Sequence, residues 1–326
     1  MSAIKLGALC WSQHSDWPSL REAGRRADRL GYDTLWTWDH LYPIVGAVEG
    51  PIFEGWTVAA AWAESTTRIR IGLLVGANTF REPALTAKMV TTIDHLSGGR
   101  AILGIGGAWF EPEHEAFGVR FGDGPPERLR WLGEALPVIC GMLRGERPSA
   151  TGPRYRSRAV RNDPPPLQEH LPILIGGGGE RVTLRLVARY GDACNLGGDV
   201  ETLRRKDMIL RQHCEEVGRD EREIERTAEI FCVVIRDSRT EAERVFDGLF
   251  EHNGGAQPWT DHRRLVGTPE DVAARLAPIV ELGYQHLIAS FPAPYDEESM
   301  ERLIGEVKPA LERLVPQGAG KVSSRG

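Results

Sequence analysis

Pro172-Ile173-Leu174-Ile175-Gly176-Gly177-Gly178-Gly179-Glu180 decides the fold. A short apolar run, Ile173 to Ile175, meets four glycines. A helical pattern with Val182, Leu184, Leu186 and Val187 begins at once. This is a strand, a turn and a helix in sequence. Successive glycines cost chain entropy, and they make sense where a ligand presses against bare backbone. At a helix N-terminus, unpaired N–H groups and the helix dipole favour an anion, usually phosphate. A tight turn without a ligand is the plain alternative, but one or two glycines would serve it.

Outward from this unit the pattern repeats. Apolar runs stand at Ile4–Cys10, Thr34–Trp38, Ile69–Val75, Ala101–Gly106, Pro172–Ile175, Ala193–Leu196, Ala228–Ile235 and His286–Phe291. Amphipathic stretches fall at 18–30, 54–65, 84–96, 125–143, 180–189, 201–217, 240–251, 269–282 and 297–313. Alternating strands and helices imply a parallel sheet with right-handed crossovers. Eight such units predict an α/β protein, a closed (β/α)8 barrel; a doubly wound open sheet is the alternative. Leu30-Gly31-Tyr32 ends a helix with glycine where φ is usually positive, and Tyr190-Gly191-Asp192 and Leu282-Gly283-Tyr284 repeat that grammar. Thr268-Pro269-Glu270-Asp271 reads as an N-cap, a first-turn proline and two acids suited to the helix dipole.

Residues 1–315 are expected to form a single barrel domain with two insertions. One, at about 144–171 after strand 4, contains Pro164-Pro165-Pro166. The other, at about 251–267 after strand 7, contains Gly254-Gly255. Long loops on a barrel often form lids or channel walls. The Gly-, Ser- and Lys-rich end, 316–326, is expected to be a disordered tail.

The chain has 326 residues, 41% hydrophobic and 26% charged, with a net charge of −6 and the two signs interspersed. That balance carries no nucleic-acid footprint. No run of 18 apolar residues and no signal peptide is visible, so no membrane span is expected and a cytoplasmic location is the default. The five cysteines, Cys10, Cys140, Cys194, Cys214 and Cys232, are odd in number and lack metal-ligand spacing. Buried free thiols in a reducing compartment fit best.

In a parallel barrel the working face lies at the C-terminal ends of the strands. Those ends read Trp11-Ser12-Gln13, Trp36-Thr37-Trp38-Asp39-His40, Val75-Gly76-Ala77-Asn78-Thr79, Gly104-Ile105-Gly106-Gly107-Ala108-Trp109, the four glycines, and Asn195-Leu196-Gly197-Gly198. Glycine and tryptophan with little fixed charge suit a large flat ligand carrying a phosphate. Asp39-His40 is the candidate for acid–base work, since His titrates near neutrality; a capping Asp and a surface His are the bland alternative. Glu111, Glu113 and His114 read as a solvated loop or a first helical turn, and no ligand spacing supports a metal. Gly104-Ile105-Gly106-Gly107 departs from the dinucleotide fingerprint, and no G-x-S-x-G, HExxH or P-loop occurs.

Taken together, Leu30-Gly31-Tyr32-Asp33-Thr34-Leu35-Trp36, Trp38-Asp39-His40, Leu96-Ser97-Gly98-Gly99-Arg100, Gly104 to Trp109 with Glu111-Pro112-Glu113-His114, Pro172 to Gly178 and Val266-Gly267-Thr268-Pro269-Glu270 resemble the luciferase-like superfamily of flavin and deazaflavin oxidoreductases. The likeness runs from about residue 4 to 313 and implies a modified (β/α)8 barrel. Trp-Asp-His after strand 2 is most similar to the branch that uses coenzyme F-420, a deazaflavin carrying hydride; FMN is the alternative cofactor. The resemblance implies Asp39 and His40 near the ring. It places Val75, Gly76, Ala77, Asn78 and Thr79 beneath the ring, where the family often has a non-proline cis peptide. Gly106, Gly107 and Trp109 would lie beside the ring, and Gly176, Gly177, Gly178, Gly179, Glu180 and Arg181 at the phosphate. Trp11 and Trp38 would meet a small-molecule substrate, with no metal, in a homodimer. The activity implied is hydride transfer between deazaflavin and a small organic substrate, with an FMN-dependent monooxygenase or a non-catalytic flavin-binding protein as rivals. Basic residues for a sugar phosphate have no clear match.

Overall fold

A computed structural model describes residues 4–255 and 264–314. Eight parallel strands form the barrel: β1 (Lys5–Cys10), β2 (Thr34–Thr37), β3, β4 (Leu103–Gly106), β5 (Ile173–Gly176), β6 (Ala193–Leu196), β7 (Glu225–Ile230) and β8 (His286–Phe291). β3 comes in two halves, Arg70–Leu73 and Gly76–Ala77. Its first half pairs with β2 and its second with β4, so the nine hydrogen-bonded segments close into a ring through this divided strand. β1 pairs with β8 in register from Lys5↔His286 to Cys10↔Phe291.

Strand alternation sorts the apolar side chains into two cores. Leu6, Ala8, Cys10, Leu35, Ile173, Ile175, Leu287 and Ala289 pack outward against the helices. Leu9, Trp11, Trp36, Trp38, Leu174 and Ile288 fill the barrel. Trp36 is the large member of its layer, and its neighbours must be small. A Cβ on Gly72 would come 2.5 Å from Trp36 Cζ3, and one on Gly7 3.1 Å from its Nε1. Below it, Trp36 Nε1 donates to Thr34 Oγ1 (2.7 Å), which meets His286 Nε2 (2.8 Å). His286 Nδ1 lies 3.5 Å from Glu225, which also holds Lys5.

The strand ends and helices follow the sequence reading with local corrections. The run 228–235 is two strands, not one. β7 ends at Ile230, Cys232 takes φ +50, and Val233–Ile235 pairs with Leu265–Gly267 outside the barrel. The helix expected at 180 starts at Thr183, with residues 180–182 as a turn. Gly31 and Gly283 have positive φ, but Gly191 has φ −85. There glycine admits the approach of Val187 O and Ala193 O, each 3.2 Å from a Cβ. Thr268 and Asp271 form a reciprocal capping box. Insertion 144–171 carries a short hairpin, Ala150–Thr151 with Arg156–Ser157. The second insertion runs from the end of helix Arg239–His252 to strand Leu265–Gly267. Its residues 256–263 and the expected tail, 316–326, lie outside the described residues. All five cysteines are buried and free. Among the described residues no helix is long and apolar enough to cross a membrane.

Candidate active site

The two halves of β3 flank a non-proline cis peptide, Leu74-Val75. Opposite the break, Gly104 lets Leu73 O approach where any Cβ would overlap it. Val75 then seats its side chain on two neighbouring strands. Its methyls would lie 2.7 Å from a Cβ on Gly176 and 2.8 Å from one on Gly106. These two glycines make room for Val75.

Asp39, 1% exposed, sits at the end of β2 and holds the second half of β3. Its Oδ2 accepts from Ala77 N at 2.8 Å, and Arg81 grips both oxygens at 2.6 and 3.0 Å. Arg81 also reaches Glu54, the N-cap of helix Gly55–Ser65, at 2.6 Å. Burial raises the Asp39 pKa, and Arg81 with the Ala77 amide opposes it. Both oxygens are engaged, and Oδ2 anchors the backbone at Ala77.

His40 follows with its side chain 13% exposed. Its Nδ1 lies 2.8 Å from Glu113 Oε1. Glu113 is 1% exposed, on helix Glu111–Ala116, where sequence reading left a solvated loop or helical turn. Its Oε2 accepts from Leu41 N (2.7 Å) and Tyr42 N (3.4 Å), tying down the loop after β2. The next residue, His114, is committed on both sides. Nδ1 meets Phe110 O and Nε2 meets Thr79 Oγ1, while the ring stacks on Phe80. Burial lowers its pKa.

A cavity of about 530 Å³ opens at this end of the barrel. Its lining unites Trp38, Asp39 and His40 with Val75, Gly76 and Ala77, with Gly106, Gly107 and Trp109, and with Gly176, Gly177 and Gly179. Other predicted residues lie elsewhere. Trp11 is fully buried one layer down, its ring 4.8 Å from that of Trp38, and does not line the cavity. Asn78 bonds Tyr155 and Thr79 bonds His114, so both turn into packing. Glu180 pairs with Arg205, Arg181 is exposed, and the side of Gly178 is occupied by the Lys206 ammonium.

The glycine loop nonetheless keeps donors unspent. Gly177 takes φ +118. Among the described residues, the amides of Gly178, Gly179, Glu180 and Arg181 have no hydrogen-bond acceptor. Arg128, 5% exposed, lines the same cavity with Nε on Ala108 O (3.2 Å) and Nη1 unpartnered. A row of amides with a buried guanidinium and an ammonium nearby suits an oxyanion. Sequence reading gave no site role to Arg128, Glu113 or Gln13. Gln13 bonds the backbone of Ile44 and Val45 at 3.0 and 2.7 Å and so builds a cavity wall. Their helical or strand-end positions looked ordinary; only their burial as polar groups marks them.

The sequence profile of the luciferase-like monooxygenase family matches residues 4–286. The F-420-dependent glucose-6-phosphate dehydrogenase of Amycolatopsis mediterranei is 26% identical, covering 95% of this chain and 99% of its own length. An F-420-dependent secondary alcohol dehydrogenase, solved with an F-420–acetone adduct, superposes with a TM-score of 0.81 at 18% identity, over 95% of this chain and 99% of its own. A monooxygenase from Streptomyces bottropensis gives 0.78 at 20%, over 95% and 99%. The two structural likenesses share the fold.

Proposed function

The chain belongs to the luciferase-like monooxygenase family, and from that premise we propose that it is a coenzyme F-420-dependent oxidoreductase acting on a small organic molecule. The observation that carries this reading is one cavity holding both ends of the required chemistry: the unspent Gly179 amide with Arg128 for a phosphate, and His40 for a proton. The full-length likeness to an F-420-dependent dehydrogenase supports the deazaflavin over FMN. When bound, the cofactor supplies hydride exchange at its ring. Val75, Gly76, Ala77, Gly106, Gly107 and Trp109 would hold that ring, and Gly177 to Arg181, Arg128 and Lys206 the phosphate.

Asp39 and Arg81 fix the backbone of the bed. Trp38 and Trp109 give the substrate apolar walls and exclude water. His40 holds or releases the proton at Nε2, the nitrogen that Glu113 does not take. The five buried thiols suit a cytoplasmic location. Leu85 and Leu96, half-exposed on helix Pro83–Ser97, suit a homodimer, which light scattering would test.

Titration of the purified apo-protein with F-420 and with FMN tests the cofactor. Tight binding of F-420 with weak binding of FMN is expected. Preference for FMN would move the protein to oxygen-activating chemistry, and binding of neither would end the reading.

A further inference from the structure

We propose that Glu113 is the positioning residue of His40, fixing the imidazole in its Nδ1–H form so that Nε2 meets the cavity as a proton acceptor. The proposal rests on the reading of His40 as the proton-handling group. Three nitrogens converge on this one buried carboxylate: His40 Nδ1 on Oε1, and the amides of Leu41 and Tyr42 on Oε2. An ionised carboxylate only accepts. It satisfies all three when the ring proton sits on Nδ1, which leaves the Nε2 lone pair for the cavity.

The other groups against the ring do not compete for Nδ1. Trp38, Trp109 and Phe110 present ring edges or faces at 6.4, 5.6 and 6.1 Å. His114, the next titratable group along the same helix, is occupied by Thr79 and Phe110 O. Glu113 thereby performs two tasks: one oxygen sets the tautomer, and the other ties down the loop that carries the imidazole. Such partners of a working histidine govern which nitrogen is basic.

Glu113→Gln inverts the pattern. The Leu41 and Tyr42 amides still require an acceptor, so the Gln oxygen turns to them and its NH2 faces Nδ1. The ring proton then moves to Nε2, and His40 becomes a donor where an acceptor is needed. Side-chain 15N NMR of the full chain above pH 8, with His40 assigned through His40→Gln, reads this directly and needs no cofactor. The expected result is Nδ1–H in the wild type and Nε2–H in E113Q. With cofactor, kcat falls about 10²–10⁴-fold, the usual range for loss of acid–base catalysis, while KM stays within about threefold. Glu113→Asp, which keeps the carboxylate, restores Nδ1–H and part of the rate.

An Nε2–H wild type overturns the proposal even if E113Q fails to fold. The same tautomer in wild type and folded E113Q overturns it as well. Failure of F-420 to bind would remove the cofactor reading and leave the tautomer result standing.

Discussion

The polar groups at the two ends of the barrel face different surroundings. At the closed end, Trp36 Nε1 donates to Thr34 Oγ1, which meets His286 Nε2, while His286 Nδ1 faces Glu225 at 3.5 Å without a hydrogen bond and Glu225 holds Lys5. At the open end the amides of Gly178 to Arg181 and Arg128 Nη1 have no acceptor among the described residues. Arg128 Nη1 is buried without a partner, which costs stability, and the loop amides stand exposed where water or a ligand can meet them. Under the proposed function, the closed end serves the fold and the open end serves a ligand.

Substitutions at the two ends should therefore separate stability from rate. Trp36→Ala empties the centre of the barrel and is expected to cost about 3–5 kcal/mol in denaturant unfolding, with the surviving folded protein still binding cofactor. His40→Ala is expected to cut turnover about 10²–10⁴-fold while the thermal midpoint moves little. If His40→Ala unfolds the protein instead, the division between the ends fails. Arg128→Gln should weaken F-420 binding about tenfold, the value of one charge-assisted contact of about 1.4 kcal/mol, and should lower the salt sensitivity of binding. Unchanged affinity would remove Arg128 from the phosphate site.

The smallest effect concerns His114. Burial holds its pKa below the ordinary 6.5. As pH falls below that value the unfolded chain takes up the proton first, so stability declines on the acid side. His114→Gln should flatten that decline in thermal melts between about pH 7.5 and 5, within the range where an unperturbed imidazole titrates.

Much of the barrel was legible because strand parity is written in the residue order: Leu9 and Trp11 fall inside, Leu6, Ala8 and Cys10 outside. The division of β3 was not, since Ile69 to Val75 reads as one apolar run, and its break is set by how Asp39 and Gly104 meet it from neighbouring strands. The glycines were legible as a strand-to-helix turn at the working face, but for incomplete reasons. Gly176 is required by Val75, whose position depends on that break. Trp11 shares the parity of Trp38 yet lies a layer deeper, and parity gives the face without the depth. Glu113 resembles any acid in a first helical turn until the loop after β2 folds back onto it.

The divided strand has a mechanical consequence. Between its halves, β3 gives up regular pairing with β4, which resumes only at Gly76↔Ile105 and Ala77↔Gly106. The first half of β3 bridges to the residues before β4 at Ile71↔Ala101, so the seam that closes the ring is interrupted at the bed of the cavity. A molecule lying there would span the joint like a rivet. Its arrival would be felt around the whole circumference, first as slowed exchange of the Ala77 and Asn78 amides.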